Sequence, residues 1–371
     1  MNRRVRVGFF QSDSQLRSAL TIFDKKTAQV LFTALLFCLV LVFLYIAWRA
    51  LLAFLFAMLF AYLLEAPVLR FQKWFRGSRS LAIATVYLIM IGIVALVFSL
   101  FGPKIGEESR RLAQQAPGWA GQISSGNIVE QFGQRRGWSK ETTRQLTDFI
   151  SGHREQIIDE IQNMVVRSAH TLQNTWWLVL VPILAVFFLK DGDKFRNNLV
   201  NAVQDEHTRA MVATIVDKVS SMLGYYIRAQ LLYSVLAMVV VTFVLWGMGV
   251  PYALALGPAE GALEFIPLVG PLIGGVLIMA VAFLSGYSHL LWLLVFLTVW
   301  RVIQDYVTAP RIMSGTLEMH PLVVLFGVLA GGEVAGVIGI FLSVPVLAAL
   351  RIVWHAWQFY GKPATSEPET A

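Results

Sequence analysis

The sequence predicts an all-α, polytopic membrane protein. Hydrophobic residues make up 57% of the chain and charged residues only 14%, whereas a soluble domain averages roughly 45–50% apolar and about 25% charged residues. Many apolar runs match the roughly 20 residues that a helix needs to cross a bilayer. Prolines and glycines interrupt these runs in the C-terminal half, which predicts broken or re-entrant segments there. We expect about seven to eight membrane segments, accompanied by amphipathic extramembrane helices.

Composition divides the chain into consecutive regions. We predict a basic cytoplasmic N-terminus (1–27), first membrane segments (28–103), an extracytoplasmic helical region (104–175), a membrane span (176–190), a cytoplasmic amphipathic helix (191–228), a C-terminal membrane core (229–357) and a disordered tail (358–371). The orientation follows from the positive-inside rule, because the N-terminus, the Arg70–Arg79 loop and the Lys190–Arg228 segment are all basic. The N-terminal basic stretch leads into a full-length span without a small-residue cleavage site, so we do not interpret it as a cleavable signal peptide.

Three spans are predicted in the first membrane region, namely Ala28–Trp48, Ala50–Leu64 and Leu81–Phe101. A short turn at Arg49 separates the first two, and Pro103 ends the third because proline lacks a backbone donor. The single cysteine, Cys38, lies in the first span and is interpreted as a buried packing residue.

Two amphipathic helices are predicted from apolar residues that recur at helical spacing. The first stripe runs from Ile157 to Leu172, and the second helix covers Asp193–Tyr226. The span Trp176–Leu189 lies between them and ends at Lys190, Asp191 and Gly192. The remaining predicted segments are Leu231–Val250, the broken region Pro251–Ser285, Leu290–Val307, and the Gly-rich stretch from Pro321 to Trp357.

The segment Glu264–Gly275 is the strongest candidate for a transport site. It places a carboxylate, two prolines and three glycines within an apolar region. An ionised carboxylate in lipid is costly unless it is paired or hydrated, and broken backbone is tolerated only beside protein or water. We therefore assign Glu264, Pro267 and Gly270 to a candidate solute or ion path.

Glu260 and Glu264 are one helical turn apart and face the same way if the segment is helical. Two carboxylates near membrane depth raise each other's proton affinity, which suits a proton or cation relay. The alternative is that Pro258 and Pro267 place both residues at the water interface, where they orient a helix end.

Arg301 and Asp305 are also four residues apart within an apolar span. They form either a mutually neutralising structural pair or a gate in which Asp305 exchanges Arg301 for a bound cation or a substrate hydroxyl. Gln304 beside them could bind a polar solute or join two helices.

The regions Pro251–Ser285 and Pro321–Pro345 share a pattern in which a proline begins an apolar segment that paired glycines interrupt. Paired interruptions of this kind point to a transporter's binding site, which adds Gly331 and Gly332 to the candidates. The alternative is close helix packing through small residues, which we favour for Gly336 and Gly339. The turn Gly331–Gly332–Glu333 is interpreted as a bend or re-entrant tip.

Other chemistries lack a signature in this sequence. The six histidines show no metal-ligand spacing, no Walker loop is present, and no motif places a nucleophile beside a base. We therefore expect neither an enzyme nor a bound cofactor or metal, and ATP-driven transport by this chain alone is disfavoured.

Three stretches resemble the AI-2E transporter family, a group of bacterial and archaeal permeases. They are Phe187–Gly192, Glu264–Pro271, and Pro310–Gly315 continuing through His320–Val324 to Gly331, Gly332 and Gly336. The resemblance covers about Ala28–Arg351 and implies seven or eight membrane segments with an extramembrane region after the third. It also implies export of the small polar signal autoinducer-2, while some relatives are associated with sodium/proton antiport.

The sequence thus predicts a secondary transporter, or permease, that exports a small polar solute such as autoinducer-2 across the bacterial inner membrane. Coupling to protons or sodium is a hypothesis that rests on Glu264 and Asp305. One alternative is a sodium/proton antiporter, and another is a non-transporting oligomeric membrane scaffold built on the amphipathic helices. The expected partners are the solute or a monovalent cation, membrane lipids and further copies of the chain, but no nucleic acid.

Overall fold

The computed structural model describes residues 25–124, 139–141, 144–145, 148, 176–267, 269–312 and 319–360. The chain divides into two compact units, Met1–Phe56 and Ala57–Ala371. The main helices are α1 (Lys25–Trp74), α2 (Arg79–Ser124), α3 (Trp176–Asn201), α4 (Glu206–Gly247), α5 (Ala253–Leu263), α6 (Val269–Leu284), α7 (Leu290–Ile303), α8 (Ala309–Ile312) and α9 (Pro321–Tyr360).

The all-α membrane architecture is confirmed. Within the described ranges, every secondary-structure element is helical. Five helices there are long and apolar enough to cross a bilayer, and α6 is a shorter apolar helix. Large apolar side chains such as Phe43, Leu88 and Trp292 remain exposed on the isolated chain, as expected for surfaces that face hydrocarbon.

The predicted turn at Arg49 is wrong, because α1 is helical throughout this stretch. Arg49 is flanked by alanine, tryptophan and leucine, which contain no helix breaker, so nothing in the local sequence ends the helix. The prediction that Cys38 is buried is also wrong, since its side chain is exposed.

Pro103 does not end the third span, because α2 continues through it to Ser124. The residues after Pro103 are good helix formers, and Arg111 donates to Glu107 Oε1 over 2.6 Å one turn apart. The predicted amphipathic stripe from Ile157 to Leu172 and most of the predicted tail lie outside the described residues.

The amphipathic helix predicted over Asp193–Tyr226 is not a separate element. Helix α3 continues through Lys190–Gly192, and α4 runs on into the next predicted span. The chain breaks instead between them, where the Asp205 carboxylate accepts a 2.7 Å hydrogen bond from the Thr208 backbone amide and caps α4. Hydrogen bonds from Thr208 hold the pKa of Asp205 below its usual range.

Helices α5 and α6 form a helical hairpin, which confirms the predicted broken region. They contain 11 and 16 residues, or about 16 and 24 Å of helix, so each is shorter than the roughly 30 Å hydrocarbon layer. Gly274 of α6 lies against the Glu260 carboxyl group of α5, and Gly270 lies against the Leu263 backbone. These pairings require the chain to fold back between the two helices.

Helix α9 also folds back on itself. Its backbone leaves the helical region at Ala335 and at Gly336, which has a φ of 60°. Gly331 lies against the Gly339 backbone, and Gly327 against the Leu347 side chain. In a straight helix the second pair would be about 30 Å apart, so α9 is a second hairpin with its tip at Ala335–Gly336.

An apolar core holds the first hairpin against its neighbours. Val241 of α4, Leu256 of α5, Ile278 of α6 and Leu293 of α7 are buried in one cluster. This packing covers one side of the hairpin with protein, while Leu272 and Val276 of α6 remain exposed. Irregular backbone is tolerated at membrane depth where protein covers it.

Candidate functional site

Hydrophilic side chains gather at the end of α5 within this otherwise apolar core. Glu260, Glu264 and Gln304 are 5%, 3% and 2% exposed, and Gln230 and Ser234 are also buried. Buried polar groups are costly unless they are hydrogen-bonded. Their concentration at one place, in a core built from leucine, valine and isoleucine, identifies the candidate site.

Glu264 lies directly after α5 and has partners from two other elements. Gln304 Nε2 donates to Glu264 Oε1 over 2.7 Å, and Gln230 Nε2 of α4 donates to the Glu264 backbone oxygen over 2.6 Å. The side chain and the backbone of Glu264 are thus both anchored. Gln304 joins two elements, as one of the two predicted roles requires.

Glu260 lies one turn earlier, at the interface between α5 and α6. Its Oε2 atom is buried and has no hydrogen-bond partner among the described residues. The carboxyl group occupies the space beside Gly274, where any side chain would overlap with it. The Glu264 amide donates to the Glu260 backbone oxygen over 3.0 Å, so the two residues lie one helical turn apart, and both side chains are buried within the protein.

The turn that follows Glu264 is shaped by the predicted proline and glycine. The Val269 amide donates to the Pro267 oxygen over 2.7 Å, and the Gly270 amide donates to the Ile266 oxygen over 2.9 Å. Gly270 also has no room for a side chain, because the Leu263 carbonyl lies where Cβ would be. On the other side, the Ser234 hydroxyl donates to the Gly261 oxygen.

Arg301 and Asp305 form an ion pair with two contacts. Arg301 Nε donates to Asp305 Oδ2 over 3.0 Å, and Arg301 Nη2 lies 2.7 Å from Asp305 Oδ1. Asp305 belongs to a π-helical turn, Gln304–Thr308. Pro310 cannot donate to the carbonyl four residues earlier, and the turn instead pairs the Ala309 amide with the Gln304 oxygen.

The ion pair flanks Gln304, the residue that donates to the Glu264 carboxylate. Arg301 Nη1 is buried without a partner among the described residues. The pair is about 40% exposed. It is thus the more accessible neighbour of a buried carboxylate pair.

Gly331 and Gly332 lie in the second hairpin and do not form its tip. Gly331 packs against Gly339, so close packing describes Gly331 and Gly339, whereas Gly336 forms the turn and has open space around it. The rings of Phe265 and Phe341, 5.9 Å apart, bring the two hairpins into contact. No described contact brings Gly331 or Gly332 to the carboxylates.

Gln230 and Ser234 are two site residues that the sequence did not predict. They are four residues apart in an apolar stretch of α4 and face the hairpin together. Their spacing was a usable signal, because polar residues one turn apart in a membrane helix commonly hydrogen-bond to a neighbouring helix.

This arrangement offers oxygen acceptors to a small solute, a proton or a cation. Among the described residues, no group of three or more histidine, cysteine or acidic side chains could hold a metal ion. A groove of about 790 Å³ lies elsewhere, along α9, and its lining contains none of the predicted path residues.

Comparison with known proteins gives a consistent match. The profile of the AI-2E family transporter matches residues 31–359. "Putative transport protein YrrI" of Bacillus subtilis is 26% identical over 293 residues, which cover 76% of this chain and 80% of the relative. "Putative transport protein YueF" of the same organism is 25% identical, with 78% and 79% covered. "Putative permease PerM" of Escherichia coli is 26% identical, with 81% and 85% covered.

Proposed function

This chain belongs to the AI-2E transporter family, and on that premise we propose that it is a secondary transporter that exports a small polar solute, such as autoinducer-2. The observation that carries the proposal is the buried carboxylate pair Glu260 and Glu264 beside a broken hairpin. Broken membrane helices expose backbone groups and helix ends that bind substrates and ions. Buried ionisable residues in membrane segments commonly mark such paths.

The proposed path runs along the first hairpin. Glu264 and Gln304 lie at its centre, Pro267 and Gly270 shape the turn, and Arg301 with Asp305 lie beside it. Glu260 is the second acceptor. Gly331 and Gly332 contribute by packing the second hairpin, which contacts the first through Phe265 and Phe341.

Coupling to a proton or sodium gradient is part of the proposal. A carboxylate that exchanges a proton or cation between the two sides of a membrane needs a protected site with changeable partners. Among the described residues, the Glu264 carboxylate has one side-chain donor, Gln304, and Asp305 can exchange Arg301 for a cation. Sodium/proton antiport is the second candidate, favoured by the partnerless Oε2 atom of Glu260.

The test is flux in proteoliposomes that contain the purified full chain. In the wild type, we expect an imposed pH gradient to drive net flux of autoinducer-2 or sodium. We expect Glu264→Gln and Asp305→Asn to abolish this coupling. Glu107→Gln, at an exposed carboxylate of α2, is the matched control. Flux that survives both substitutions with an unchanged pH profile would remove the coupling proposal.

The same measurement separates transport from a scaffold. If neither solute nor ion flux is found while a defined oligomer persists, the scaffold is the better description. The second amphipathic helix, on which that alternative depended, is divided between α3 and α4. The location that accompanies the transport proposal is the bacterial inner membrane, with a homo-oligomeric assembly.

A further inference from the structure

Helix α5, which carries Glu260 and is followed directly by Glu264, has its two ends held by side chains from other helices. At its C-terminal end, Gln230 and Ser234 of α4 donate to the Glu264 and Gly261 backbone oxygens. At its N-terminal end, the Ala255 amide donates to Glu108 Oε2 of α2 over 3.1 Å. Helix ends leave unpaired backbone groups that need such partners, especially away from water.

The two ends differ in their access to solvent. The C-terminal partners Gln230 and Ser234 are 4% and 5% exposed, so this end is anchored in the core. The N-terminal contacts come from the polar continuation of α2 beyond Pro103. There, Tyr252 Oη donates to Gln115 Oε1 over 2.5 Å in an exposed contact, and the Trp119 ring meets the Tyr252 ring edge-on at 6.2 Å.

The connection that enters α5 is conformationally unfavourable. Tyr252, directly before the helix, has a φ of 63°, and Gly249 has a φ of 71°. A positive φ is easy for glycine but unfavourable for a tyrosine, whose Cβ crowds the backbone. Tyr252 supplies no side-chain cap for α5. The contacts that Glu108, Gln115 and Trp119 make with α5 and Tyr252 therefore stabilise the positive φ of Tyr252, which the backbone would not adopt without them.

From this asymmetry we propose that the polar continuation of α2 acts as a latch on α5. In the latch, Glu108 caps the N-terminus of α5 and can be removed, and Gln115 and Trp119 hold Tyr252 in place. When the latch is released, the connection Gly249–Tyr252 relaxes and the first-turn amides of α5 open more often, while Ala253 and Leu256 hold the helix in the apolar core. The role of the latch in transport rests on the proposed function, because it requires the solute path to run along α5. The opening of the latch is independent of which solute moves.

The test is hydrogen–deuterium exchange of the full chain in lipid nanodiscs, with Glu108→Ala compared with Glu107→Ala. Glu107 is the neighbouring carboxylate and pairs with Arg111 at the surface, where such pairs contribute little. We expect backbone amides of α5 to exchange about fivefold faster in Glu108→Ala, the factor for loss of a typical cap. Glu107→Ala should match the wild type.

A reference peptide from α3 around Ala185 and Leu189, which are buried in a separate apolar cluster, distinguishes release of the latch from general unfolding. Exchange that rises equally in α3 and α5, or that is unchanged in α5, would overturn the latch. The exchange result requires no substrate. An unchanged α5 together with Glu264-dependent flux would thus reject the latch alone, whereas a released α5 without any flux would reject the transport proposal alone.

Discussion

Gly274 leaves the space that the Glu260 carboxyl group occupies, and it gives the sharpest test of the site at the scale of single residues. A methyl group at Gly274 would overlap with Glu260 Oε2, whereas one at Gly275 would meet nothing within 4 Å. We expect Gly274→Ala to displace the carboxyl group, lower stability by about 1 kcal/mol through overpacking, and abolish coupled flux.

Gly275→Ala is the matched control for that substitution, because it adds the same methyl group one residue later. We expect the melting temperature and the proteoliposome flux of Gly275→Ala to be close to those of the wild type. If the two variants have equal melting temperatures and equal flux, then neither stability nor transport depends on the placement of the Glu260 carboxyl group beside Gly274.

The sequence predicts the individual ionisable residues of the site better than their partners. Glu264 stands out because it is a carboxylate within an apolar run. That Gln304 binds it depends on a contact between residues 40 positions apart, which no local pattern encodes. Gln230 and Ser234 were missed for a related reason, since their importance lies in the ends of a helix on another part of the chain.

At the scale of elements, composition predicted the helices and the two broken regions, but it placed several boundaries wrongly. Arg49 and Lys190–Gly192 are polar, yet they lie within α1 and α3, because a polar residue does not end a helix unless the backbone is also interrupted. Asp205 does begin a helix, where it caps the Thr208 amide. An aspartate followed by an acidic first turn is a helix start that can be read from the sequence.

The second hairpin depends on one glycine contact that can be tested. Gly331 and Gly339 pack with each backbone in the space where the other's side chain would be, whereas a methyl group at Gly332 would be 3.4 Å from Ile340. We expect Gly339→Ala to separate the two legs and destabilise the chain by about 1–3 kcal/mol. The backbone on the opposite leg cannot rotate away as a side chain can.

Gly332→Ala should be nearly neutral in the same experiment, which would be thermal unfolding in detergent or nanodiscs. If Gly339→Ala unfolds at the same temperature as Gly332→Ala, the close packing of the hairpin is not a source of stability.

At the scale of the whole molecule, the positive-inside rule leads to the prediction that the Arg70–Arg79 loop is cytoplasmic and the region 104–175 is outside. Cysteine labelling can test this orientation. The chain has one cysteine, Cys38, which is exposed, so a single substitution gives a cysteine-free background. In a Cys38→Ser background, we expect Glu141→Cys to react with a membrane-impermeant maleimide in intact spheroplasts.

Lys73→Cys and Lys194→Cys should react only after the membrane is permeabilised. Both positions are exposed and lie in segments predicted to be cytoplasmic. The reverse pattern would invert the orientation, and it would also place the Glu108 latch in the cytoplasm. An outside location would instead put Glu108 and Gln115 where external conditions reach them. The labelling pattern therefore decides from which side of the membrane the latch at the start of α5 is reached.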